Sequence, residues 1–336
     1  MQKRVLVTGA CGFIGYHLSK RLLAEGCVVL GIDNFNSYYD PKLKRDRFDL
    51  LKTNARFQFR EMDLNAPSLS QEFTEFRPQI VIHLAAQAGV RYSIENPWAY
   101  IDSNLIAFQR VIEALRIQPV EHFIFASSSS VYGGNTKTPF SVTDRVDSPV
   151  SLYAATKRSN ELIAHVYSKQ FRIPTTGLRF FTVYGSYGRP DMAYYSFTRK
   201  ILRGEKIPLF NNGDLKRDFT HIEDIIESLV RVTKKIPEGD TPYRLMNIGA
   251  SRPVNLMEFV TILEDLLGKK AIKEMKPMQM GDVYQTHADV DDLEKLIDYR
   301  PKISLREGLN EFVAWFEKED VLNRYSFDCP YLGPAR

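Results

Sequence analysis

The first half of the chain alternates short apolar runs, rich in β-branched residues, with longer segments in which apolar residues recur at helical spacing. Several of the short runs are apolar at nearly every position, which is typical of strands in a parallel sheet covered on both faces. Repeated strand–helix units with right-handed crossovers predict an α/β fold with a doubly wound parallel sheet. The predicted strands are residues 4–9, 27–33, 57–63, 80–86, 122–128 and 175–180, and the predicted helices are residues 13–25, 98–117 and 152–171.

The regular pattern loosens after about residue 180. Turn-forming stretches such as N-N-G-D (211–214) interrupt the apolar periodicity there. We therefore divide the chain into residues 1–180, which form the doubly wound domain, and residues 181–336, which form mainly a smaller α/β lobe. Helical periodicity continues in places beyond residue 180, so the segments near 217–250 are candidates to return to the first domain.

Composition excludes several classes of function. A chain of 336 residues, of which 44% are apolar, is long enough to bury a sizeable core. The formal charge is only +4 and the signs are interspersed, which argues against a nucleic-acid partner. No apolar run approaches the roughly 18 residues that span a bilayer, so we expect no membrane association. Three cysteines without metal-ligand spacing predict neither a disulfide framework nor a metal site, and they favour the reducing cytoplasm.

A glycine-rich loop, T-G-A-C-G-F-I-G, follows the first predicted strand and opens the first predicted helix, with Gly9, Gly12 and Gly15 at regular spacing. Amides at a helix N-terminus attract a pyrophosphate, and glycine lets it approach without a Cβ in the way. Asp33 lies 18 residues after Gly15, where a carboxylate can bind the ribose hydroxyls of NAD and would repel the extra phosphate of NADP. These elements predict a Rossmann-type site for NAD. The alternative is a tight structural turn.

Four serines, residues 127–130, follow the fifth predicted strand, and ligands bind at the carboxyl ends of the strands in such sheets. The next predicted helix carries Tyr153 and Lys157 four residues apart, so the two side chains lie one turn apart on one face. An ammonium beside a phenol favours the phenolate, which predicts a lowered pKa for Tyr153 and a tyrosine that can act as a base. The spacing alone is common in solvated helical pairs. Its place behind a dinucleotide loop and a serine-bearing strand end favours a catalytic site.

Six motifs that together cover most of the chain carry a resemblance to a known family. With them the chain resembles the extended short-chain dehydrogenases/reductases that act on nucleotide sugars. The resemblance implies that Ser128 is the catalytic hydroxyl, that Tyr153 is the base, and that Lys157 is its partner and a ribose ligand. The motifs are T-G-x-x-G-x-x-G (8–15), H-L-A-A (83–86), S-S-S-S-V-Y-G (127–133), Y-A-A-T-K (153–157), R-F-F-T-V-Y-G (179–185) and K-R-D-F-T-H-I-E-D (216–224).

The same resemblance implies two groups of binding residues. The group expected to bind NAD is Gly9, Gly12, Phe13, Ile14, Gly15, Asp33, Asn34, Asn36, Ser37, Asp63, Leu64, Leu84, Ala85, Ala86, Gln87, Asn104, Tyr153, Lys157 and Phe180. The group expected to bind a UDP-sugar is Arg91, Ser128, Ser129, Tyr153, Thr182, Arg189, Met192, Phe210, Arg217 and Asp282.

The two positions after the expected catalytic hydroxyl indicate the reaction type. Relatives that dehydrate sugars carry Asp-Glu there, and decarboxylating relatives carry a Glu at the second position, whereas this chain has Ser129 and Ser130. Without an acid to donate a proton for water loss, the chemistry that remains is reversible oxidation of an alcohol. The resemblance therefore implies a 4-epimerase. In such an enzyme Tyr153 takes the proton of the sugar 4-hydroxyl and NAD takes the hydride, which returns to the opposite face of the 4-keto sugar.

Two further stretches indicate the substrate. Residues 33–45 (DNFNSYYDPKLKR) and 184–193 (YGSYGRPDMA) are similar to segments of UDP-glucuronate 4-epimerases. In that subfamily the arginine of G-R-P-D-M, which is Arg189 here, meets the sugar carboxylate, and a guanidinium fork fits a carboxylate bidentately. The alternative for Arg189 is a salt bridge to Asp191 or another acid.

We therefore expect an NAD-dependent isomerase that interconverts UDP-glucuronate and UDP-galacturonate. The alternatives are an epimerase of UDP-glucose or UDP-N-acetylglucosamine, less readily a dehydratase or decarboxylase, and a non-catalytic NAD-binding relative. Relatives of the last kind commonly lose the tyrosine or the lysine, and this chain has both. By the same resemblance, the helices near 98–117 and 152–171 form the face of a homodimer, although their apolar residues could equally cover the sheet.

Overall fold

The computed structural model describes residues 2–278 and 283–326. All six predicted strands are present, and none of the described helices is both long and apolar enough to cross a membrane. The strands are β1 Arg4–Thr8, β2 Val28–Asp33, β3 Phe57–Glu61, β4 Ile80–His83, β5 His122–Ser128, β6 Thr175–Phe180, β7 Thr182–Tyr184, β8 Lys206–Leu209, β9 Lys216–His221, β10 Tyr243–Ile248, β11 Pro253–Asn255 and β12 Ile272–Met275. The α-helices are α1 Phe13–Ala24, α2 Pro41–Leu51, α3 Leu69–Phe76, α4 Tyr92–Glu95, α5 Pro97–Tyr100, α6 Ala107–Ile117, α7 Leu152–Phe171, α8 Ala193–Arg203, α9 Ile222–Thr233, α10 Leu256–Leu267, α11 Asp291–Ile297, α12 Leu305–Lys318 and α13 Val321–Arg324.

A seven-stranded parallel sheet forms the centre of the fold, in the order β10-β6-β5-β4-β1-β2-β3. Val5 and Val7 of β1 belong to the core on one face, with residues of α1 and α9, while Leu6 belongs to the core on the other face, with residues of α3 and α6. Successive side chains of a strand point to opposite faces, so a strand buried on both faces is typically apolar at most positions. This explains the continuous apolar runs, and the predicted doubly wound, Rossmann-type fold is confirmed.

The order of the strands reverses beside β1. The chain runs outward from β1 through β2 to β3, and then returns to β4, which pairs with β1 on its other side. At such a switch point the loops part to opposite faces and leave a crevice at the carboxyl ends of the strands. Asp33 at the end of β2 and Ser128 at the end of β5 therefore lie on the same edge of the sheet.

A smaller lobe is built from a three-stranded sheet, β11-β9-β7, and the parallel pair β12-β8. Its core is rich in aromatic rings, such as Phe219 stacked on Phe259 with 5.0 Å between the ring centroids. β10 lies outside this lobe, because it pairs with β6 at the edge of the large sheet. The chain thus returns to the first sheet after it has entered the second.

The helix predicted over residues 98–117 is divided into three parts. α5 ends at Tyr100, residues Ile101–Ile106 form a π-helix, and α6 continues from Ala107. The π-helix carries Asn104, whose amide nitrogen donates to the Gln87 carbonyl at 3.0 Å and whose oxygen accepts from the Gln87 amide at 2.8 Å. The same nitrogen donates to Thr156 of α7 at 3.1 Å. This break therefore joins the loop after β4 to the helix that carries Tyr153.

A buried ion pair ties α7 to the central sheet. The side chains of Glu161 and Arg179 are each 1% exposed, and two hydrogen bonds of 2.8 and 2.9 Å join them. The Ser127 hydroxyl donates to Glu161 at 2.6 Å, and the Arg179 guanidinium lies 4.9 Å from the centre of the Tyr132 ring. The pair therefore holds the serine-bearing end of β5 against β6 and α7.

We expect Glu161→Gln to lower the free energy of unfolding by about 3–5 kcal/mol, because it leaves the Arg179 charge buried without a counter-ion. Urea unfolding measures this change. Glu121→Gln is the matched control, since the Glu121–Lys3 pair has 3.7 Å between its charged atoms and both side chains are more than 40% exposed. That control should cost less than about 1 kcal/mol. Equal losses in the two variants would contradict the structural role of the buried pair.

Candidate active site

A cavity of about 700 Å³ lies over the carboxyl ends of the central strands. The loops after β1, β2, β4 and β5 line one side of it, and residues of the smaller lobe, including Met192, Phe210 and Arg217, line the other. Small-molecule and cofactor sites commonly have volumes of about 300–1,000 Å³. The cavity is thus large enough for a ligand that contacts both lobes.

The structure brings nearly all of the predicted cofactor residues to this cavity. Ser37 and Asn104 are the two that do not line it. Ser37 is exposed to solvent outside the cavity, and Asn104 is buried behind Gln87, which it holds by two hydrogen bonds. Asn104 therefore supports the cavity wall from behind.

The glycine loop between β1 and α1 passes very close to other backbone segments. A Cβ on Gly15 would lie 2.0 Å from the Gly9 carbonyl oxygen, and a Cβ on Gly9 would lie 2.8 Å from the Ala85 nitrogen. Gly9 also has a φ of +69°, which favours glycine. Among the described residues, no side chain caps α1, so the first amides of this helix remain available to an anion. The loop fits the diphosphate of NAD.

Two carboxylates line the cavity beyond the glycine loop. Asp33 accepts hydrogen bonds from the Cys11 amide at 3.0 Å and the Phe35 amide at 2.9 Å. Asp63 accepts one from the Asn34 side chain at 2.9 Å. Each carboxylate oxygen has more than one lone pair, so both residues can still accept a bond from a ribose hydroxyl or an adenine amine.

Ser128 and Tyr153 meet on the cavity wall. Ser128 ends β5, and Tyr153 lies in the first turn of α7, where the Ser151 hydroxyl accepts from the Ala154 amide at 3.1 Å and caps the helix. The Ser128 hydroxyl donates to the Ser130 hydroxyl at 3.1 Å, and it is close enough to Tyr153 to act on the pKa of the phenol. Burial raises the pKa of Tyr153, while the Ser128 hydrogen bond and the positive charge of Arg189 oppose that rise. The phenol is therefore placed for proton transfer, and its surroundings partly offset the effect of burial.

Lys157 lies one turn further along α7 and is 3% exposed. Its ammonium donates to the Ala126 carbonyl of β5 at 2.8 Å. Burial lowers the pKa of Lys157 to about 8, against the opposing effect of Glu161. The Lys157 ammonium is bonded to β5 and burial dominates the ionisation of the phenol, so the described residues by themselves do not produce the lowered pKa predicted for Tyr153.

Arg189 lines the cavity from the loop before α8, where it is paired with Asp191. Its Nε donates to one Asp191 oxygen at 3.0 Å, and its Nη2 donates to the other, which also accepts from the Tyr38 hydroxyl at 3.2 Å. Burial acts to lower the pKa of Arg189, but Asp191 outweighs it and the pKa is raised. The alternative considered from the sequence, a salt bridge to Asp191, is thus present. Nη1 makes no hydrogen bond to the described residues and remains available to a second carboxylate.

The other predicted substrate residues surround the same space. The Arg91 guanidinium lies 4.8 Å from the centre of the Phe210 ring. Arg217 donates to the Tyr284 carbonyl at 3.1 Å, which directs it along the cavity wall. Asp282 lies outside the described residues. The remaining predicted substrate residues that line the cavity are Ser129, Thr182 and Met192.

Many residues that line the cavity were not predicted, among them the polar residues Tyr38 and Lys44. The Lys44 ammonium donates to the Asn36 carbonyl at 2.7 Å, and the residue is 7% exposed. A signal for Lys44 does exist in the sequence, because the buried residues of α2 are Leu43, Lys44, Arg47 and Leu51, which recur at helical spacing. Burying a charge is costly unless it is hydrogen-bonded, so two basic residues on an otherwise apolar helix face indicate side chains that bind specific polar groups inside the protein.

The fold, the serine at the end of β5, and the tyrosine and lysine at the start of α7 define a dinucleotide-dependent enzyme of the short-chain dehydrogenase/reductase type. Residues 5–249 match the NAD dependent epimerase/dehydratase family. The chain belongs to this family, which confirms the predicted class of protein and the predicted cofactor, NAD.

Relatives of this chain include several named epimerases. The chain is 44% identical over 331 residues to the probable UDP-glucuronate 4-epimerase of Rhizobium meliloti, covering 94% of this chain and 97% of that protein. It is 46% identical over 327 residues to UDP-glucuronate 4-epimerase 3 of Arabidopsis thaliana, covering 93% of this chain and 76% of that protein. It is also similar to the crystal structure of UDP-glucuronic acid 4-epimerase from Bacillus cereus in complex with UDP-glucuronic acid and NAD. That match has a TM-score of 0.88 at 34% identity and covers 94% of this chain and 99% of the other.

We expect Gly15→Ala to weaken NAD binding by at least about tenfold, because the new Cβ would lie 2.0 Å from the Gly9 oxygen and force the loop open. Calorimetric titration with NAD, together with the NAD content of purified protein, measures this. Gly134→Ala is the control, since a Cβ there meets nothing within 4 Å. Unchanged NAD affinity in Gly15→Ala would show that the diphosphate binds elsewhere.

Proposed function

We propose that this protein is an NAD-dependent UDP-glucuronate 4-epimerase, an isomerase that interconverts UDP-glucuronate and UDP-galacturonate. The proposal rests on the closeness of Arg189 to Tyr153, since the guanidinium charge acts on the pKa of the phenol and both residues line one cavity. In a uronic acid the carboxylate stands on C5, directly beside the C4 hydroxyl. A base for that hydroxyl and a cation for that carboxylate must therefore lie in the same cavity, as these two side chains do.

In this proposal Tyr153 takes the proton of the 4-hydroxyl, and Ser128 donates a hydrogen bond to the reacting oxygen. NAD, when bound, supplies the acceptor and donor of hydride at C4. Lys157, a ribose ligand by resemblance, is held at the end of β5 by the Ala126 carbonyl. Because burial opposes ionisation of the phenol, the Ser128 hydrogen bond and the Arg189 charge are what assist its deprotonation.

The acids around the cavity favour epimerisation over dehydration. The lining acids among the described residues are Asp33 and Asp63, beyond the glycine loop, and Asp191, which is engaged by Arg189 and Tyr38. The positions that follow Ser128 offer hydroxyls. No described carboxylate is therefore placed beside Ser128 to donate a proton to a leaving hydroxyl.

A second candidate is a 4-epimerase of a neutral UDP-hexose. The observation in its favour is the Asp191 carboxylate, which already neutralises Arg189. A uronate would have to bind at Nη1 or exchange with Asp191, whereas a neutral sugar would leave the pair as it is. The two candidates therefore differ in what Arg189 contributes to binding.

The function is tested by supplying purified protein with UDP-glucuronate or UDP-glucose and following the anomeric signals by NMR. We expect conversion of UDP-glucuronate, and we expect Arg189→Ala to weaken its binding by about 1.5–3 kcal/mol, because a charged hydrogen-bond partner is removed. Tyr153→Phe is the control variant, which should abolish turnover while it leaves binding of both sugars intact. Conversion of UDP-glucose alone would favour the second candidate.

We further propose that the protein forms a homodimer through α6 and α7. Leu162 and Val166 lie one turn apart on α7 and are 53% and 45% exposed, and Trp98, before the π-helix, is 71% exposed. Exposed apolar side chains grouped on one face are typical of a protein interface. The same helices also cover the sheet with Phe108 and Ala164, so both interpretations of their apolar residues are compatible.

Replacing Leu162 and Val166 together by Glu should convert the dimer to a monomer, because it places charges in an apolar interface. Sedimentation velocity measures the mass of the particle. Leu50→Glu is the control, since Leu50 is 49% exposed on α2, away from this face. A monomeric parent protein would contradict the proposal.

We also propose that the protein works in the cytoplasm. Cys11 and Cys27 are free thiols, and Cys11 is buried beside the glycine loop. Free thiols of this kind are typical of a reducing compartment.

A further inference from the structure

Arg47 of α2 is a buried charge outside the cavity. The residue is fully buried, and it does not line the cavity. Within residues 2–278 and 283–326 no carboxylate lies at ion-pair distance from it, and its Nε has no hydrogen-bond partner. A buried guanidinium is costly unless it is well bonded. The bonds that it does make therefore indicate its role.

Those bonds join two loops of different function. Nη1 donates to the Cys11 carbonyl of the glycine loop at 2.9 Å and to the Tyr39 hydroxyl at 2.8 Å. Nη2 donates to the carbonyls of Tyr187 and Gly188 at 2.6 and 3.1 Å. These two carbonyls belong to the residues directly before Arg189. One rigid guanidinium thus connects the expected diphosphate loop to the expected carboxylate-binding arginine.

The segment before Arg189 has an unfavourable conformation that needs such support. Tyr187 has a φ of +55°, in the left-handed region that side chains other than glycine rarely adopt. Its ring is held between Tyr16 and Trp315, with 5.2 and 4.9 Å between ring centroids. The carbonyls of Tyr187 and Gly188 both accept from Arg47, and the Arg189 amide that follows donates to the Tyr194 hydroxyl at 3.2 Å. A small rotation of the peptide after Tyr187 would displace Arg189. A displacement of about 1 Å strongly lowers the reaction rate that a site supports.

We propose that Arg47 is a positioning residue for the recognition of the sugar carboxylate, acting through Arg189. This inference rests on the proposed function and deepens it. A lysine at position 47 would keep the charge but lacks the two-pronged fork that reaches both loops. A methionine would fill the space without a charge, and it would leave the carbonyls of Cys11, Tyr187 and Gly188 without this donor.

The test measures binding rather than turnover. In the Tyr153→Phe protein loaded with NAD, calorimetry gives dissociation constants for UDP-glucuronate and UDP-glucose, and their ratio is the preference for the uronate. We expect Arg47→Lys and Arg47→Met each to reduce this preference by about tenfold, with a smaller effect on UDP-glucose. In an Arg189→Ala background the same substitutions should leave the preference unchanged, because residues that act in series are not additive.

Arg56→Lys is the matched control. Arg56 also donates to a backbone carbonyl, that of Leu23 at 3.1 Å, but this bond is remote from Arg189. Arg56→Lys should therefore leave the preference for UDP-glucuronate over UDP-glucose unchanged. NAD content and the melting temperature of each variant show whether the fold and the glycine loop persist.

Three outcomes would overturn the inference. The first is an unchanged preference for the uronate in folded Arg47 variants, and the second is an equal loss of affinity for both UDP-sugars. The third is a change in preference caused by Arg47 substitution that persists in the Arg189→Ala background. Each would show a role in general stability only. If the parent bound both sugars equally, the proposed function would fail, and the inference with it. A parent that prefers the uronate, with Arg47 variants that keep that preference, would refute the inference alone.

Discussion

The parallel direction of the central strands is the constraint on which the site depends. In a parallel sheet every strand presents its carboxyl end at the same edge, so loops that are far apart in sequence meet there. Gly9 follows β1, Ser128 ends β5 and Phe180 ends β6, and all three line one cavity. Helices cover both faces of the sheet, and the Glu161–Arg179 pair ties β5, β6 and α7 together. The reacting side chains are thus held by elements that pack on the buried central sheet.

Burial works against the charged forms of both reacting groups at this edge. It raises the pKa of Tyr153 and lowers that of Lys157 to about 8, so helical spacing alone does not produce a phenolate beside an ammonium. The groups that favour ionisation of the phenol are Ser128, from β5, and Arg189, from the smaller lobe. In the proposed reaction, therefore, the arginine that binds the sugar carboxylate also assists the base. A single cation in a site of low polarity can serve both purposes, because its field is weakly screened there.

Helix α2 connects the cofactor side of the cavity to the substrate side. Its buried face combines Leu43 and Leu51 with the basic residues Lys44 and Arg47. Lys44 donates to the Asn36 carbonyl near the expected ribose site. Arg47 donates to the glycine loop at Cys11 and to the loop before Arg189 at Tyr187. The stretch of residues 33–45 therefore leads into the helix whose Arg47 is bonded to the loop before Arg189.

Much of the fold could be predicted from local pattern. The apolar runs identified strands such as β1, β2 and β4, because a strand buried on both faces has few polar positions. The helix over residues 152–171 was predicted with the bounds that the structure has, since its periodicity is uninterrupted. The π-helix at Ile101–Ile106 was not predicted, because apolar periodicity does not report the hydrogen bonds, such as those between Asn104 and Gln87, that accompany this break.

The sequence by itself determined the doubly wound fold, the glycine loop and the residues at the strand ends, since each depends on short-range spacing. Only the tertiary structure decided that Lys157 bonds to Ala126, that Arg189 pairs with Asp191, and that Ser37 lies outside the cavity. These outcomes depend on how deeply each side chain is buried and on which polar groups surround it there. Neither quantity is encoded in local spacing, because both arise only when the sheet and the smaller lobe pack together.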